Sequence, residues 1–306
     1  MTHTTFSRMA DAAQYEDHDS LLDFLSTQLL HGRLALILGA GASFGFGLPS
    51  WDKLTDEVCK AAGIPKPSGS NEAVLEKILI EHCARDEIKF AALVQKALYS
   101  NYDSSIDTLS SNKLLSAVAA IAMASRRGSV SKIVSYNFDD LLEVYLSYLG
   151  FDTNSIAVLP AWHNTVDVTV YHPHGLLPSK SGKAIPRPII LTQAHFDDVV
   201  GDSKDAWRAT VLDVMSSSTC LFIGLSGDDR NLTSCLAATY KQHASKAQHH
   251  LYWGVRFTNF AGDPNNDTWK HRGVFNIVLN DYNELPSWLL RICQLAADKR
   301  LAARES

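Results

Sequence analysis

The apolar run at residues 34–38, LALIL, restricts the possible folds of this chain more than any other segment. A strand that is apolar at every position is typical of a parallel sheet covered on both faces. The run leads directly into GAGASFGFG at residues 39–47, whose glycines indicate a tight turn that can bring backbone N–H groups close to a ligand. Together the two segments predict an α/β fold with a ligand-binding loop at the carboxyl end of a strand.

Further short apolar runs follow residue 131 and alternate with segments of helical spacing. We predict further strands at residues 131–136, 166–172, 188–192, 219–225, 251–255 and 274–279. We predict helices among them at about residues 194–216, 229–243 and 284–302. This alternation is typical of a Rossmann-like, doubly wound and mostly parallel sheet.

The domain organisation follows from where strand patterns are missing. Residues 52–130 show helical spacing without a strong strand pattern, which favours a helical subdomain inserted into a domain of residues 18–306. Residues 1–17 show no periodicity, and we expect them to be a flexible N-terminal tail. Ser20 and Ser50 are plausible N-caps of the helices that follow them.

Composition and charge argue against several classes of protein. The chain of 306 residues has a formal net charge of −5 and no basic block, so we expect no direct binding to nucleic acid. Its five cysteines include no C-x-x-C pair, which argues against a zinc module and fits reduced thiols. The N-terminus lacks a signal-peptide pattern, and no apolar run reaches the roughly 20 residues of a membrane helix. We therefore expect a cytoplasmic protein that does not bind a membrane.

Polar and glycine residues follow four of the predicted strands. Since the carboxyl ends of parallel strands lie along one edge of a sheet, we expect these residues to form a common site. The candidates are Gly39, Ala40, Gly41 and Ser43 in GAGAS, Asn137 and Asp139 in YNFDD, His174 in HPHG, and Gly224, Ser226 and Asp229 in GLSGDDRN. An amide at a strand end can hold a water or a hydroxyl, and a histidine there can act as a general base.

Each candidate also has a simpler interpretation. The dinucleotide fingerprint G-x-G-x-x-G would need glycine where Phe44 stands, so GAGAS could be a tight turn without a ligand. We expect Asp140 to cap a helix, whereas Asp229 fits a helix cap and a hydroxyl ligand equally well. His172 and His174 have H-x-H spacing, but no cysteine or carboxylate lies near them in the sequence to complete a metal site.

Four motifs in order resemble a known family. GAGAS followed by GLPSW at residues 47–51, SYNFDDLLE at 135–143, HPHG at 172–175 and LFIGLSGDDRNL at 221–232 resemble the sirtuin-like NAD-hydrolysing domains of bacterial antiphage defence systems. The segment at residues 271–290 also resembles the last strand and helix of these domains.

The resemblance implies a role for each matching residue. It implies that GAGAS wraps the pyrophosphate of NAD+, that Pro49 and Trp51 of GLPSW help to hold the same molecule, and that Gly224 and Ser226 lie near the adenosine ribose. Asn137 and Asp139 match the Asn and Asp of the family's T-x-N-x-D element, and His174 matches its catalytic histidine. No metal is expected.

The resemblance also implies an activity. Deacetylating sirtuins carry a four-cysteine zinc module that this chain lacks, which favours hydrolysis of NAD+ to nicotinamide and ADP-ribose in an abortive-infection response. Alternatives that stay open are an ADP-ribosyl cyclase or ADP-ribosyltransferase using the same site, and a non-catalytic NAD-binding sensor. Such an activity needs a gate, and the family implies a homo-oligomer or a partner such as a translocase-type ATPase, a short Argonaute or a nucleotide-sensing protein.

Overall fold

A parallel sheet forms the centre of the protein. The computed structural model describes residues 15–43, 45–123, 128–130, 132–161, 166–180, 185–186, 189–201, 205–244 and 252–305. Within them the strands are β1 Leu34–Leu38, β2 Lys132–Ser135, β3 Thr153–Ile156, β4 Val168–Tyr171, β5 Thr219–Ile223, β6 Gly254–Thr258 and β7 Val274–Val278. Neighbouring strands pair in parallel in the order β3-β4-β2-β1-β5-β6-β7. The predicted doubly wound α/β sheet is confirmed.

The helices cover both faces of this sheet. In chain order they are α1 His18–Leu30, α2 Trp51–Ala62, α3 Asn71–Lys77, α4 Glu87–Leu98, α5 Ile106–Ser111, α6 Lys113–Ala122, α7 Leu141–Tyr148, α8 Gln193–Gly201, α9 Ala206–Ser217, α10 Arg230–Ala244, α11 Asn265–His271 and α12 Leu285–Glu305. A π-helical turn, Ile78–His82, extends α3. Ala40–Ser43 and Tyr282–Glu284 are short 3₁₀ turns.

Strand β1 explains why LALIL is apolar at every position. It lies between β2 and β5, so that Leu36 pairs with Ile133 on one side and with Leu221 on the other. Alternate side chains of a strand point to opposite faces. Leu36 therefore enters a core shared with α1, α6 and α12, whereas Ile37 enters a second core under α9 and α10.

The order of the strands places a crevice at one edge of the sheet. From β1 the chain moves to β2 and on to the edge strand β3, and β4 then fills the place between them. The chain next crosses to build β5, β6 and β7 on the other side of β1. The loops after β1 and β5 therefore leave neighbouring strands in opposite directions. In open α/β sheets, ligands bind at such a switch point, beyond the carboxyl ends of the strands.

The predicted helical insertion divides into two parts in the structure. Helices α2 to α4 have a core of their own, which also takes in Leu177, Ile189 and Leu191 from the segment after β4. Helix α6 instead contributes Leu115 and Ile121 to the core beneath the sheet. Of the predicted insertion at 52–130, residues 124–127 lie outside the described part.

Several predicted strand boundaries were wrong. The run at 188–192 forms no strand in its described residues, because Ile189 and Leu191 are buried against α2 to α4 rather than paired in the sheet. The strand predicted at 251–255 is Gly254–Thr258. The sequence also missed β3, whose residues TNSI are polar because the strand lies at the edge of the sheet.

Helix boundaries also differ from the predictions. The helix predicted at 194–216 is two helices, and the carboxylate of Asp205 caps the second by accepting from Arg208 N at 2.8 Å. Asp17 rather than Ser20 caps α1. Ser50 stands at the N-cap position of α2 without a side-chain hydrogen bond to the helix.

The chain packs against the domain before the predicted end of the tail. Tyr15 is fully buried, and its hydroxyl donates to the carbonyl of Tyr252 at 3.0 Å. Its ring also contacts Phe24 and Phe275. The remainder of the predicted tail, residues 1–14, lies outside the described part. None of the helices in that part combines the length and the apolar character needed to cross a bilayer.

Candidate functional site

The loops after β1 and β5 are in backbone contact at the switch point. Gly39 N donates to Ile223 O at 2.9 Å, and Gly41 N donates to Gly224 O at 3.0 Å. A Cβ on Gly41 would lie 2.7 Å from Gly224 Cα, too close for any other residue. The absent side chains therefore let the two loops pack backbone against backbone, whether or not a ligand is bound.

Asn137 joins this pair of loops to the end of β2. Its Nδ2 donates to the carbonyl of Gly39 at 3.0 Å and to the hydroxyl of Ser43 at 2.9 Å. A carbonyl can only accept a hydrogen bond, so the nitrogen of the carboxamide must face Gly39. Both amide hydrogens are thereby used. The Oδ1 atom accepts no hydrogen bond from the described residues, and this oxygen can accept one from a water or a ribose hydroxyl.

Ser43 connects this hydrogen-bond network to Asp139. Its hydroxyl donates to Asp139 Oδ1 at 3.1 Å, and the same oxygen accepts from Leu141 N at 3.2 Å. Burial raises the pKa of Asp139 to about 6, although the hydrogen bond from Ser43 works in the opposite direction. Both donors favour the ionised form of Asp139. As an acceptor, Asp139 orders the Ser43 hydroxyl, which in turn orders the side chain of Asn137.

His174 lies in an aromatic enclosure beside this network. The rings of Tyr136 and Phe196 meet the imidazole edge-on at centroid distances of 4.9 and 5.4 Å, and the ring of Phe138 lies roughly parallel to it at 6.4 Å. His174 is 3% exposed, and its burial lowers its pKa. Its imidazole is therefore neutral at neutral pH and can accept a proton.

Asp229 faces His174 from the start of α10. One carboxylate oxygen, Oδ1, accepts from Leu232 N at 2.6 Å and caps the helix. The other, Oδ2, lies 3.5 Å from His174 Nε2. Nε2 forms no hydrogen bond within the described residues, so the contact is an electrostatic attraction that offsets part of the effect of burial on the His174 pKa. The sequence left two roles open for Asp229, and the structure shows that it caps the helix.

The remaining predicted residues lie around this centre. The Trp51 ring lies 6.4 Å from that of Phe138, on the insertion side, and its Nε1 donates to Glu72 at 3.2 Å. Pro49 is half-buried, and Ala40 is exposed at the first position of the 3₁₀ turn. Ser226 is exposed, and its carbonyl accepts from Arg256 at 3.3 Å.

Arg256 braces the loop after β5 and was not predicted. It is 3% exposed, pairs with Asp263 at 2.6 Å and donates to the carbonyl of Leu225 at 3.1 Å. Its guanidinium also lies 5.1 Å from the centre of the Trp269 ring. A charged residue in the apolar strand pattern GVRFT was the one signal in the sequence that could have identified it.

Two further residues that the sequence did not assign lie behind Asn137. His172 is fully buried between the carbonyl of Asn137 and the carboxylate of Glu143. Glu143 stands among the apolar residues of α7, and a carboxylate on a buried helix face was the available signal. Asp140, expected to cap this helix, instead accepts from Ser179 N at 3.0 Å, whereas Asp139 accepts from Leu141 N.

Potential metal ligands do not converge within the described residues, where no group of three or more His, Cys, Asp or Glu side chains could hold an ion. His172 and His174 contact different carboxylates, those of Glu143 and Asp229. The five cysteines are buried free thiols.

Comparison with known proteins gives a family for the central part of the chain. Residues 131–277 match the model of the SIR2-like domain family. The match includes Asn137, His174 and Asp229, and it begins after the loop at residues 39–43. No curated protein matches the chain. SIR2-like domains use NAD, and the site described above lies at the sheet edge where an α/β fold binds a nucleotide. Residues 131–277 are therefore similar to a SIR2-like domain.

Proposed function

We propose that the protein is an NAD+ glycohydrolase, which cleaves NAD+ to nicotinamide and ADP-ribose. The observation that carries the proposal is the orientation of Asn137. Its two amide hydrogens are held by Gly39 and Ser43, and its oxygen is left to orient a hydroxyl or a water. A neutral, buried His174 on the neighbouring strand end supplies a group that can accept a proton.

The reaction breaks the bond between C1′ of the ribose and the ring nitrogen of nicotinamide. Positive charge develops on the ribose as in other glycosidic cleavages, and nicotinamide leaves as a neutral ring, so no strong acid is needed. The water oxygen bonds to C1′, and one proton is released. Asn137 Oδ1 orients the ribose or this water, and His174 takes the proton from the water or from a ribose hydroxyl.

The other predicted residues support this chemistry indirectly. Ser43 and Asp139 fix the rotamer of Asn137, and the paired loops of Gly41 and Gly224 form the crevice in which the pyrophosphate would lie. Asp229 holds a negative charge near His174 and stabilises the imidazolium that forms when the proton is taken. Each role uses an interaction already present in the protein without substrate.

The proposal is tested by incubating the full chain with NAD+, with and without the products of neighbouring genes, and measuring nicotinamide and ADP-ribose by chromatography. We expect stoichiometric release of both, and loss of release in Asn137→Ala and His174→Ala. His271→Ala, which removes an exposed imidazole from the end of α11, is the matched control and retains activity. Cleavage at the wild-type rate by both site variants would refute the assignment.

The same measurement separates the alternative reactions. Cyclic ADP-ribose would identify a cyclase, and ADP-ribose attached to protein would identify a transferase. NAD+ binding without nicotinamide release, with every partner present, would identify a sensor. The cysteines disfavour a deacetylase, since no group of three or more possible metal ligands occurs among the described residues.

We further propose that the activity is gated and serves antiphage defence in the cytoplasm, since uncontrolled loss of NAD+ would kill the cell. Helices α2 to α4 form a core that also buries Leu177, three residues after His174 in the chain, and Leu191 from the same segment. A partner or a second copy bound to these helices could thus act on the site. Full activity of a purified monomer without any partner would contradict the gating proposal.

A further inference from the structure

A buried pair of His172 and Glu143 lies behind the carboxamide of Asn137. His172 Nε2 is 2.7 Å from Glu143 Oε1, and His172 Nδ1 is 3.2 Å from the main-chain carbonyl of Asn137. Ser155 Oγ donates to the same Glu143 oxygen at 3.0 Å. His172 is fully buried and Glu143 is 6% exposed. The pair therefore connects the carboxyl ends of β2, β3 and β4 to the first turn of α7.

The partners determine which protons the pair must carry. The carbonyl of Asn137 can only accept, so His172 Nδ1 must bear a hydrogen. Nε2 then meets a carboxylate oxygen, and this contact is favourable only if a proton lies between the two atoms. The pair is thus an imidazolium with a carboxylate, or a neutral imidazole with a carboxylic acid. In either form Nδ1 donates to Asn137.

His172 cannot take part directly in catalysis. Both of its ring nitrogens are used by protein groups, and no part of the side chain reaches the surface. The contact at Nδ1 instead fixes the peptide group that follows Asn137. A backbone rotation at this point would swing the Asn137 side chain away from Gly39 and Ser43, which lie on a different strand end.

We propose that His172 and Glu143 are positioning residues, which hold the Asn137 peptide so that its carboxamide faces the substrate crevice. The proposal rests on the proposed function for the role of Asn137. It adds that the orientation of Asn137 depends on one donor, His172 Nδ1–H, and that Glu143 serves to keep this imidazole in place. The charge of the pair is dispensable as long as the donor remains.

Two substitutions of His172 separate its two contacts. In His172→Asn, the amide nitrogen can occupy the place of Nδ1 and donate to the Asn137 carbonyl, while Glu143 loses its partner. In His172→Gln, the longer amide can reach Glu143 in place of Nε2, while the Asn137 carbonyl loses its donor. Each variant loses one buried hydrogen bond, so a merely structural role would predict similar losses from both.

We expect the two variants to differ in turnover. His172→Gln should lower kcat about tenfold or more with a KM for NAD+ within about threefold of wild type, since one displaced hydrogen bond is worth roughly a decade in rate. His172→Asn should retain most of kcat. The double variant H172N/E143Q removes the buried carboxylate that has lost its partner in His172→Asn. The kcat of Glu143→Gln alone should stay near that of wild type. Equal kcat in His172→Asn and His172→Gln would overturn the proposal.

A second measurement does not depend on turnover. The side-chain amide resonances of Asn137 in a ¹⁵N–¹H spectrum, assigned by their loss in Asn137→Asp, should shift strongly in His172→Gln and little in His172→Asn or Glu143→Gln. If the wild-type protein cleaved no NAD+ under any condition, the proposed function would fail and this comparison would still test positioning. Unshifted resonances in a folded His172→Gln variant would refute the positioning role itself.

Discussion

The carboxamide of Asn137 donates a hydrogen bond of 2.9 Å to the hydroxyl of Ser43, across 94 positions of sequence. The bond joins the end of β2 to the turn after β1, and Ser43 in turn donates to Asp139. Two loops that look independent in the sequence are therefore one hydrogen-bonded unit.

Removing the hydroxyl of Ser43 should impair turnover more than folding. Ser43→Ala leaves one amide hydrogen of Asn137 without its partner, and Asp139 Oδ1 keeps only the hydrogen bond from Leu141 N. A disrupted hydrogen bond of this kind costs about 1–2 kcal/mol. We expect kcat for nicotinamide release to fall about tenfold. Ser100→Ala, which removes an exposed hydroxyl, is the control. If both variants turned over NAD+ equally fast, Ser43 would have no role in orienting Asn137.

The contact between the β1 and β5 loops can be measured with a pair of glycines. Gly224 has φ of +72°, and an added Cβ would lie 2.6 Å from the carbonyl carbon of Gly41. Gly63 has φ of +71° with no atom within 4 Å of such a Cβ. Ala at either position should cost about 1–2 kcal/mol for the left-handed backbone. Only Gly224→Ala should cost about 1–3 kcal/mol more for the clash.

Urea unfolding of the two glycine variants gives the comparison directly, since the midpoint shift at a constant slope reports the change in stability. The quantity to compare is the difference in free energy of unfolding between the two variants. Equal free energies of unfolding for Gly224→Ala and Gly63→Ala would show that the loops separate without cost, which contradicts the packing described here.

The buried carboxylate of Asp139 should destabilise the fold once the pH rises above about 6. Its pKa rises from 3.8 in the unfolded chain to about 6 in the fold. The unfolded state therefore releases this proton more readily, and ionisation favours unfolding as the pH rises through this window. Asp139→Asn should be more stable than wild type at pH 8 by up to roughly 3 kcal/mol, at about 1.4 kcal/mol for each pKa unit.

The pH dependence of the stability difference between Asp139→Asn and wild type is the more specific test. The difference in free energy of unfolding between the variant and wild type should shrink as the pH falls through 6 and be small by pH 4. Other titrating groups, such as His174, are present in both proteins, so the difference isolates Asp139. A gap that stays constant from pH 8 to pH 4 would show that the carboxylate is not perturbed by burial.

The negative charge of Asp229 should affect the protonation of His174, whereas the helix cap that Asp229 forms needs only its side-chain oxygen. In Asp229→Asn the side-chain oxygen can still accept from Leu232 N, while the negative charge 3.5 Å from His174 is lost. The pKa of His174, already lowered by burial, should fall further. Histidine side-chain NMR titration measures this shift, and Asp205→Asn, at the cap of α9, is the control. An unchanged titration in Asp229→Asn would exclude electrostatic coupling between the two residues.

The order and type of most elements could be predicted from local pattern. LALIL, KIVS and TCLFI are short apolar runs bounded by glycine or polar residues, and each is a strand at the centre of the sheet. The run at 188–192 has the same local character, yet Ile189 and Leu191 pack against helices. An apolar run shows that a segment is buried, but it does not show what buries it.

The sequence by itself determined that polar residues follow the strands at Asn137, His174 and Gly224, because strand ends and glycine turns are local features. Only the tertiary structure decided what each of them contacts. Asn137 contacts Gly39 and Ser43 from one strand end through its side chain, and His172 from another through its main-chain carbonyl. Hydrogen bonds are short and directional, so they depend on how distant segments meet, and strand register and crossover are set by packing over the whole sheet.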